Sequence, residues 1–82
     1  MNQRLKELLD GEYQWPARYT FKFIVAAPKV HEVVAILGEN VELKESKGGK
    51  YISVTLHAHM ESSDAVVEVY QKVSVIEGVI SL

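Results

Sequence analysis

The segment from Glu42 to Met60 constrains this chain more than any other. Two alternating apolar/polar runs flank Gly48-Gly49, the pattern of a β-hairpin closed by a two-residue primed turn. With those glycines as the loop, Lys47 faces Lys50, Glu45 faces Ile52, Leu43 faces Val54 and Val41 faces Leu56. In the alternate set Ser46 meets Tyr51, Lys44 meets Ser53 and Glu42 meets Thr55. Opposed residues of an antiparallel pair share a face, so one face is mostly aliphatic and the other polar. A slip of one residue would set Leu43 against Ser53 or Thr55 and mix the two sets, so the pattern specifies the register.

Around this hairpin the chain alternates between the two periods. Gln3 to Leu9 places Leu5, Leu8 and Leu9 at helical spacing ahead of Asp10-Gly11, a short amphipathic turn or two that is marginal alone. It reads equally as a frayed end or as a segment that docks on the domain or on a partner. Tyr13, Trp15 and Pro16 follow, and Trp15, the only tryptophan, is expected to cover one edge of the core. Arg18 to Ala26 alternates Tyr19, Phe21, Phe23 and Val25 against Arg18, Thr20, Lys22 and Ile24, a strand with an aromatic inner face. Pro28 opens a helix through Val30, Val33, Val34 and Leu37 to a Gly38 stop. After the hairpin, Ser62 or Ser63 caps a second helix whose stripe is Ala65, Val66, Val69, Tyr70 and Val73. Val75 to Leu82 reads as the last strand, with Ile76, Gly78, Ile80 and Leu82 set against Glu77, Val79 and Ser81.

The order strand, helix, strand, strand, helix, strand predicts an α+β, ferredoxin-like βαββαβ domain over residues 18–82, preceded by an N-terminal segment, 1–17. Right-handed crossovers then place two helices on one face of a four-stranded antiparallel sheet. The other face stays uncovered and carries Thr20, Lys22, Ile24, Glu42, Lys44, Tyr51, Ser53, Thr55, His57, His59 and Val79. An 82-residue chain buries only about 60–65% of the surface its unfolded form exposes, so association would add to its stability.

Composition excludes several functional classes. Net charge is −2 with Lys and Arg scattered, which leaves no electrostatic footprint for nucleic acid or an anionic membrane. The chain has no cysteine, hence no disulfide, thiolate metal site or cysteine nucleophile. Met1 to Asp10 alternates charge with leucine instead of carrying the apolar core of a signal peptide, and no apolar run approaches the ~20 residues that span a bilayer. The expectation is a cytoplasmic protein without a membrane partner.

The candidate sites lie on the uncovered face and the hairpin turn. His57 and His59 point the same way with Cβ atoms roughly 7 Å apart, near enough to share a metal, but a third ligand is wanting: Asn40 stands opposite His57, with Glu39 and Glu42 nearby, and His31 belongs to a helix. An interface pair of histidines is the better reading, and no metal or cofactor is expected. Ser53, Thr55 and His57 in line on a flat strand offer no pocket, orienting carboxylate or oxyanion donors, so no enzyme is expected. Tyr51 could stack a base as in RNA-binding relatives of this fold, yet Ser53 stands where a second aromatic is wanted. Gly48 and Gly49 between Lys47 and Lys50 could cradle a phosphate, but a hairpin turn that needs positive φ is the usual explanation for them.

The residues Tyr-Thr-Phe-Lys-Phe-Ile-Val at 19–25, Glu-Ser-Lys-Gly-Gly-Lys-Tyr-Ile-Ser-Val-Thr-Leu at 45–56 and Val-Tyr-Gln-Lys-Val at 69–73 resemble the YbeD-like family of small bacterial proteins, whose function is not established. The resemblance covers the chain from Tyr19 onward. It implies a ferredoxin-like fold similar to ACT regulatory domains, which often pair and bind a small effector between subunits. ACT domains use a glycine-containing loop after the first strand; the corresponding stretch here, Val25-Ala26-Ala27-Pro28-Lys29, has no glycine, and Pro28 lacks an N–H.

Two functional expectations follow. The first is a non-catalytic regulatory or adaptor module, a homodimer or the partner of another protein, acting through Lys22, Ile24, Tyr51, Ser53, Thr55, His57 and His59. The second is an ACT-like sensor of an amino acid or related metabolite, held near Ala27, Lys29, Lys47, Gly48 and Gly49.

Overall fold

The computed structural model describes residues 3–82. Its elements are helix α1 (Gln3–Glu12), strand β1 (Ala17–Ala26), a 3-10 turn (Ala27–Lys29), helix α2 (Val30–Leu37), strands β2 (Glu42–Glu45) and β3 (Tyr51–Met60), helix α3 (Ser63–Ser74) and strand β4 (Ile80–Ser81). The strands form one four-stranded antiparallel sheet in the order β2-β3-β1-β4. The architecture is α+β with three helices among the described residues, the two that follow β1 and β3 and the short N-terminal helix expected before the domain.

The inner face of β1 organises the core. Phe21, Phe23 and Val25 are fully buried beside Val54 of β3, Val33 of α2, and Val66 and Val73 of α3. Alternation along β1 decides this: every second residue is a large apolar one, and the helices bring valines to meet them. Tyr70 of α3 lies edge-on to Phe21 and Phe23, and its hydroxyl pairs with that of Tyr19 at 2.9 Å. Burial first, then the bond to Tyr19, pushes the Tyr70 hydroxyl well above its ordinary pKa, so it stays neutral at physiological pH.

The N-terminal helix is docked. Leu9 is buried in the core, Leu5 packs against it, and Lys6 Nζ reaches Asp64 Oδ1 of α3 at 2.8 Å. The Trp15 indole donates to Asp10 at 3.0 Å and stacks on Tyr13, and both rings pack against the core. The helix runs on to Glu12, two residues beyond the expected stop at Asp10. Met1 and Asn2, which open the expected 1–17 segment, lie outside the described residues.

The hairpin keeps the expected register. Glu42 pairs with Thr55, Leu43 with Val54, Lys44 with Ser53 and Glu45 with Ile52. Its loop differs from the expected two-residue turn. Ser46 N donates to Tyr51 O at 2.8 Å and Gly49 N to Ser46 O at 2.9 Å, so Lys47 to Lys50 form a four-residue loop and the two lysines do not pair. Ser46 explains the difference: its hydroxyl accepts from Tyr51 N at 3.1 Å, closing the ladder one pair earlier. Gly48 and Gly49 both have positive φ, 91° and 73°, which makes glycine the natural occupant.

The last strand is shorter than expected and of opposite face. Ile76 N bonds to Val73 O and Val79 N to Ile76 O, so residues 75–79 continue α3 into turns, with Gly78 at φ 80°. Only Ile80 and Ser81 form β4, opposite Ile24 and Phe23. Val79, expected on the uncovered face, packs against the core, and Ile80, expected inside, stands exposed beside Ile24.

Candidate functional site

The sheet face away from the helices is built from the outward residues of four strands. The paired registers arrange it in rows. Tyr51 lies beside Ala26. Lys44, Ser53, Ile24 and Ile80 form the next row, followed by Glu42, Thr55 and Lys22. His57 then pairs with Thr20, and His59 with Arg18. Leu82 N donates to Lys22 O at 2.9 Å, and alternation from Ile80 brings Leu82 onto the same face, at the end of the Glu42 row.

The face divides into two halves. Toward the hairpin turn it is the more apolar, with Tyr51, Ile80 and Leu82 each more than half exposed and Ile24 between them, beside Lys44 and Ser53 of the same row. A shallow depression of about 180 Å³ lies there, lined by Ile24, Lys44, Glu45, Ser46, Tyr51 and Ser53. Toward the other end it is polar. Thr20 Oγ1 lies 2.8 Å from His57 Nδ1, and His57 Nε2 lies 3.5 Å from Glu42 Oε2, so one imidazole links three strands. This row is open to water, and its carboxylate is nearly three-quarters exposed.

Each expected interface residue, Lys22, Ile24, Tyr51, Ser53, Thr55, His57 and His59, lies on this face. Ile80 and Leu82 are additional members. The signal that could have located them is Glu77-Gly78: a turn there starts the alternation at Val79 and sends Ile80 outward. Asn40 does not pair with His57; β2 begins at Glu42, and it is Glu42 that comes to the ring. Among the described residues no cluster of three or more His, Cys, Asp or Glu could hold a metal ion.

The expected ligand residues share one end of the molecule, because Ala27 N donates to Lys50 O at 3.0 Å and ties the turn after β1 to the hairpin loop. That bond, and the bond from Gly49 N to Ser46 O, engage two of the amides a ligand would need. Lys29 ends the 3-10 turn, half-buried, while Lys47 and Gly48 are exposed. The depression borders this end through Ser46 but is not lined by Ala27, Lys29, Lys47, Gly48 or Gly49.

The family described as "Protein of unknown function (DUF493)" matches residues 10–82. The chain belongs to this family. The DUF493 match begins at Asp10, inside α1, and takes in all four strands, so the uncovered face lies wholly within it. No curated protein and no solved structure matched the chain. Among the described residues no helix is long and apolar enough to cross a membrane.

Proposed function

We propose that this chain is a non-catalytic regulatory or adaptor module that acts by protein contact through its uncovered sheet face, as a homodimer. The observation that carries the reading is the contiguous apolar half of that face, from Tyr51 through Ile24 to Ile80 and Leu82. A small domain gains by covering such a surface, and an apolar centre with a polar rim is the usual anatomy of an interface. The element order from β1 onward and the strand order β2-β3-β1-β4 support a ferredoxin-like, YbeD-like domain to which α1 is added. The scattered charge and the solvated histidines support a binding role over chemistry. Tyr51→Asp tests the reading: it places a charge in the apolar half and should turn a dimer into a monomer by light scattering. An unchanged mass contradicts it.

The depression beneath the hairpin supports a second reading, an ACT-like sensor of a small metabolite. A ligand at 100 times its Kd adds about 2.7 kcal/mol, so a thermal-shift screen of amino acids and related acids should raise the unfolding midpoint by roughly 10 °C. No shift across such a panel removes this reading.

A further inference from the structure

Strand β4 covers only part of its neighbour. β1 runs ten residues, Ala17–Ala26, and every one of them is paired with β3. On the other side only Phe23 and Ile24 are paired with β4, and the bond from Leu82 N extends that ladder to Lys22 O at 2.9 Å. From Ala17 to Phe21 no strand among the described residues lies beyond β1, which leaves an open edge ~17 Å long. The direction of its backbone groups follows from two bonds. Leu82 N donates to Lys22 O, so Lys22 turns its backbone groups toward β4, while Ala27 N donates to Lys50 O, so Ala27 turns its own the other way. These directions alternate along an antiparallel strand, so Arg18 and Thr20 point N–H and C=O away from β3 into the open stretch. Among the described residues none of these four groups has a backbone partner.

We propose that this open stretch binds an extended segment of another protein as an added strand, antiparallel to β1 and in line with β4. Main-chain bonds supply affinity in such a contact, and alternate side chains supply selectivity. The segment's residues opposite Thr20 and Arg18 each exchange N–H and C=O with β1, which satisfies all four free groups. Opposed residues share a face, and this sets the chemistry of the segment. Its residues opposite Phe21 and Tyr19 lie on the aromatic side of the sheet, where the rings of Tyr13 and Tyr70 border Tyr19, and are apolar. Its residues opposite Thr20 and Arg18 lie on the uncovered face. There the nearest charges on β1 are Arg18 and Lys22, both exposed and neither in an ion pair among the described residues, so an acid belongs opposite Arg18. Read from the end nearest Leu82, the segment is apolar, polar, apolar, acidic. The open stretch of a second copy carries the same Arg18 and no acid, so charge favours an acidic partner over self-pairing.

The test is a titration of the full chain, followed by amide NMR, with the capped peptide Gly-Val-Thr-Val-Glu-Gly to about 1 mM. The amides of Arg18 and Thr20 should shift and their exchange with solvent should slow. Methylating the peptide nitrogens of its threonine and glutamate removes the two donors to β1 and should weaken binding about tenfold or more. Thr20→Pro removes the β1 donor at a position whose N–H faces no strand, where proline is tolerated, and should weaken binding by a similar factor. Thr20→Val keeps the N–H and should bind within about threefold of wild type, which separates the amide from the hydroxyl that meets His57. Arg18→Glu should weaken binding about fivefold and should prefer the peptide with lysine in place of glutamate. A peptide that does not bind, or that binds equally when methylated, overturns the proposal.

Hydrogen exchange of the chain without peptide adds a second measurement. The amides of Arg18 and Thr20 should exchange faster than those of Tyr19 and Phe21, which point toward β3; equal protection would mean that the edge is already covered and overturns the proposal. The homodimer reading uses the sheet face and this one uses an edge, so either can fail alone. A Thr20→Pro variant that loses a wild-type dimer mass would make the occupant a second copy and overturns the assignment to another protein.

Discussion

Ile80 stands directly opposite Ile24 in the short ladder between β4 and β1, on the face that no helix covers. The pair joins the C-terminal strand to the centre of the sheet and continues the apolar surface that begins at Tyr51. Ile80 is about half exposed, so a charge there adds no buried ion. Ile80→Glu should leave the unfolding free energy of the monomer within about 0.5 kcal/mol of wild type, yet weaken self-association. Urea unfolding at low concentration and light scattering at high concentration check the two halves of this prediction.

The opposite face answers differently. Phe23 is fully buried, parallel to Phe21 and edge-on to Tyr70. Phe23→Ala should cost about 3–5 kcal/mol, a large part of what a small domain possesses. The variant should be largely unfolded by circular dichroism at 37 °C.

The N-terminus of α3 is held by Ser62, whose hydroxyl accepts from Ala65 N at 3.2 Å. Ser62→Ala removes the cap and should cost about 1 kcal/mol, read as a lower urea midpoint with an unchanged slope.

Docking of α1 should depend on acid. The Ser63 hydroxyl is the main influence holding the Asp10 carboxyl below its ordinary 3.8, and the Trp15 indole and the Lys6 ammonium act with it against desolvation. A carboxyl with a lowered folded value stabilises fully above its ordinary pKa, and the contribution fades as pH falls through the folded value. Fluorescence of Trp15, which donates to Asp10, should therefore hold steady near neutrality and change below about pH 4. Asp10→Asn should abolish that step; a step of the same size in the variant would assign it to another group.

Gly48 has φ 91° and open space where a Cβ would stand. Gly48→Ala should cost about 1 kcal/mol through backbone strain alone, measurable by urea unfolding.

Period-two and period-3.6 patterns made the inner faces readable from the letters. Tyr19, Phe21, Phe23 and Val25 alternate without interruption, and the hairpin register follows from keeping Leu43 and Val54 on one side. What stayed hidden depended on single local bonds. Ser46 closes the hairpin with its own hydroxyl, which lengthens the loop at no cost to the register. Gly78 ends the turns after α3, and this reverses the face of every later residue, so Val79 goes in while Ile80 and Leu82 come out. The docking of α1 rests on Leu9, Lys6 with Asp64, and Asp10 with Ser63, contacts between residues more than fifty apart that no periodicity reports. The uncovered face was legible along β1, β2 and β3 but not at β4, where Val79 was expected in place of Ile80 and Leu82, and its division into an apolar and a polar half was not legible. That division needs Ile80 beside Ile24 and Glu42 beside His57.

The central claim is that the uncovered face is a contact surface, and the most direct measurement is the mass of wild type and Ile24→Asp in solution across a hundredfold range of concentration. The account predicts a wild-type dimer that dissociates on dilution and an Ile24→Asp variant that stays folded and monomeric throughout. A wild-type monomer at the highest concentration, or an Ile24→Asp variant with the wild-type dimer mass, would contradict it.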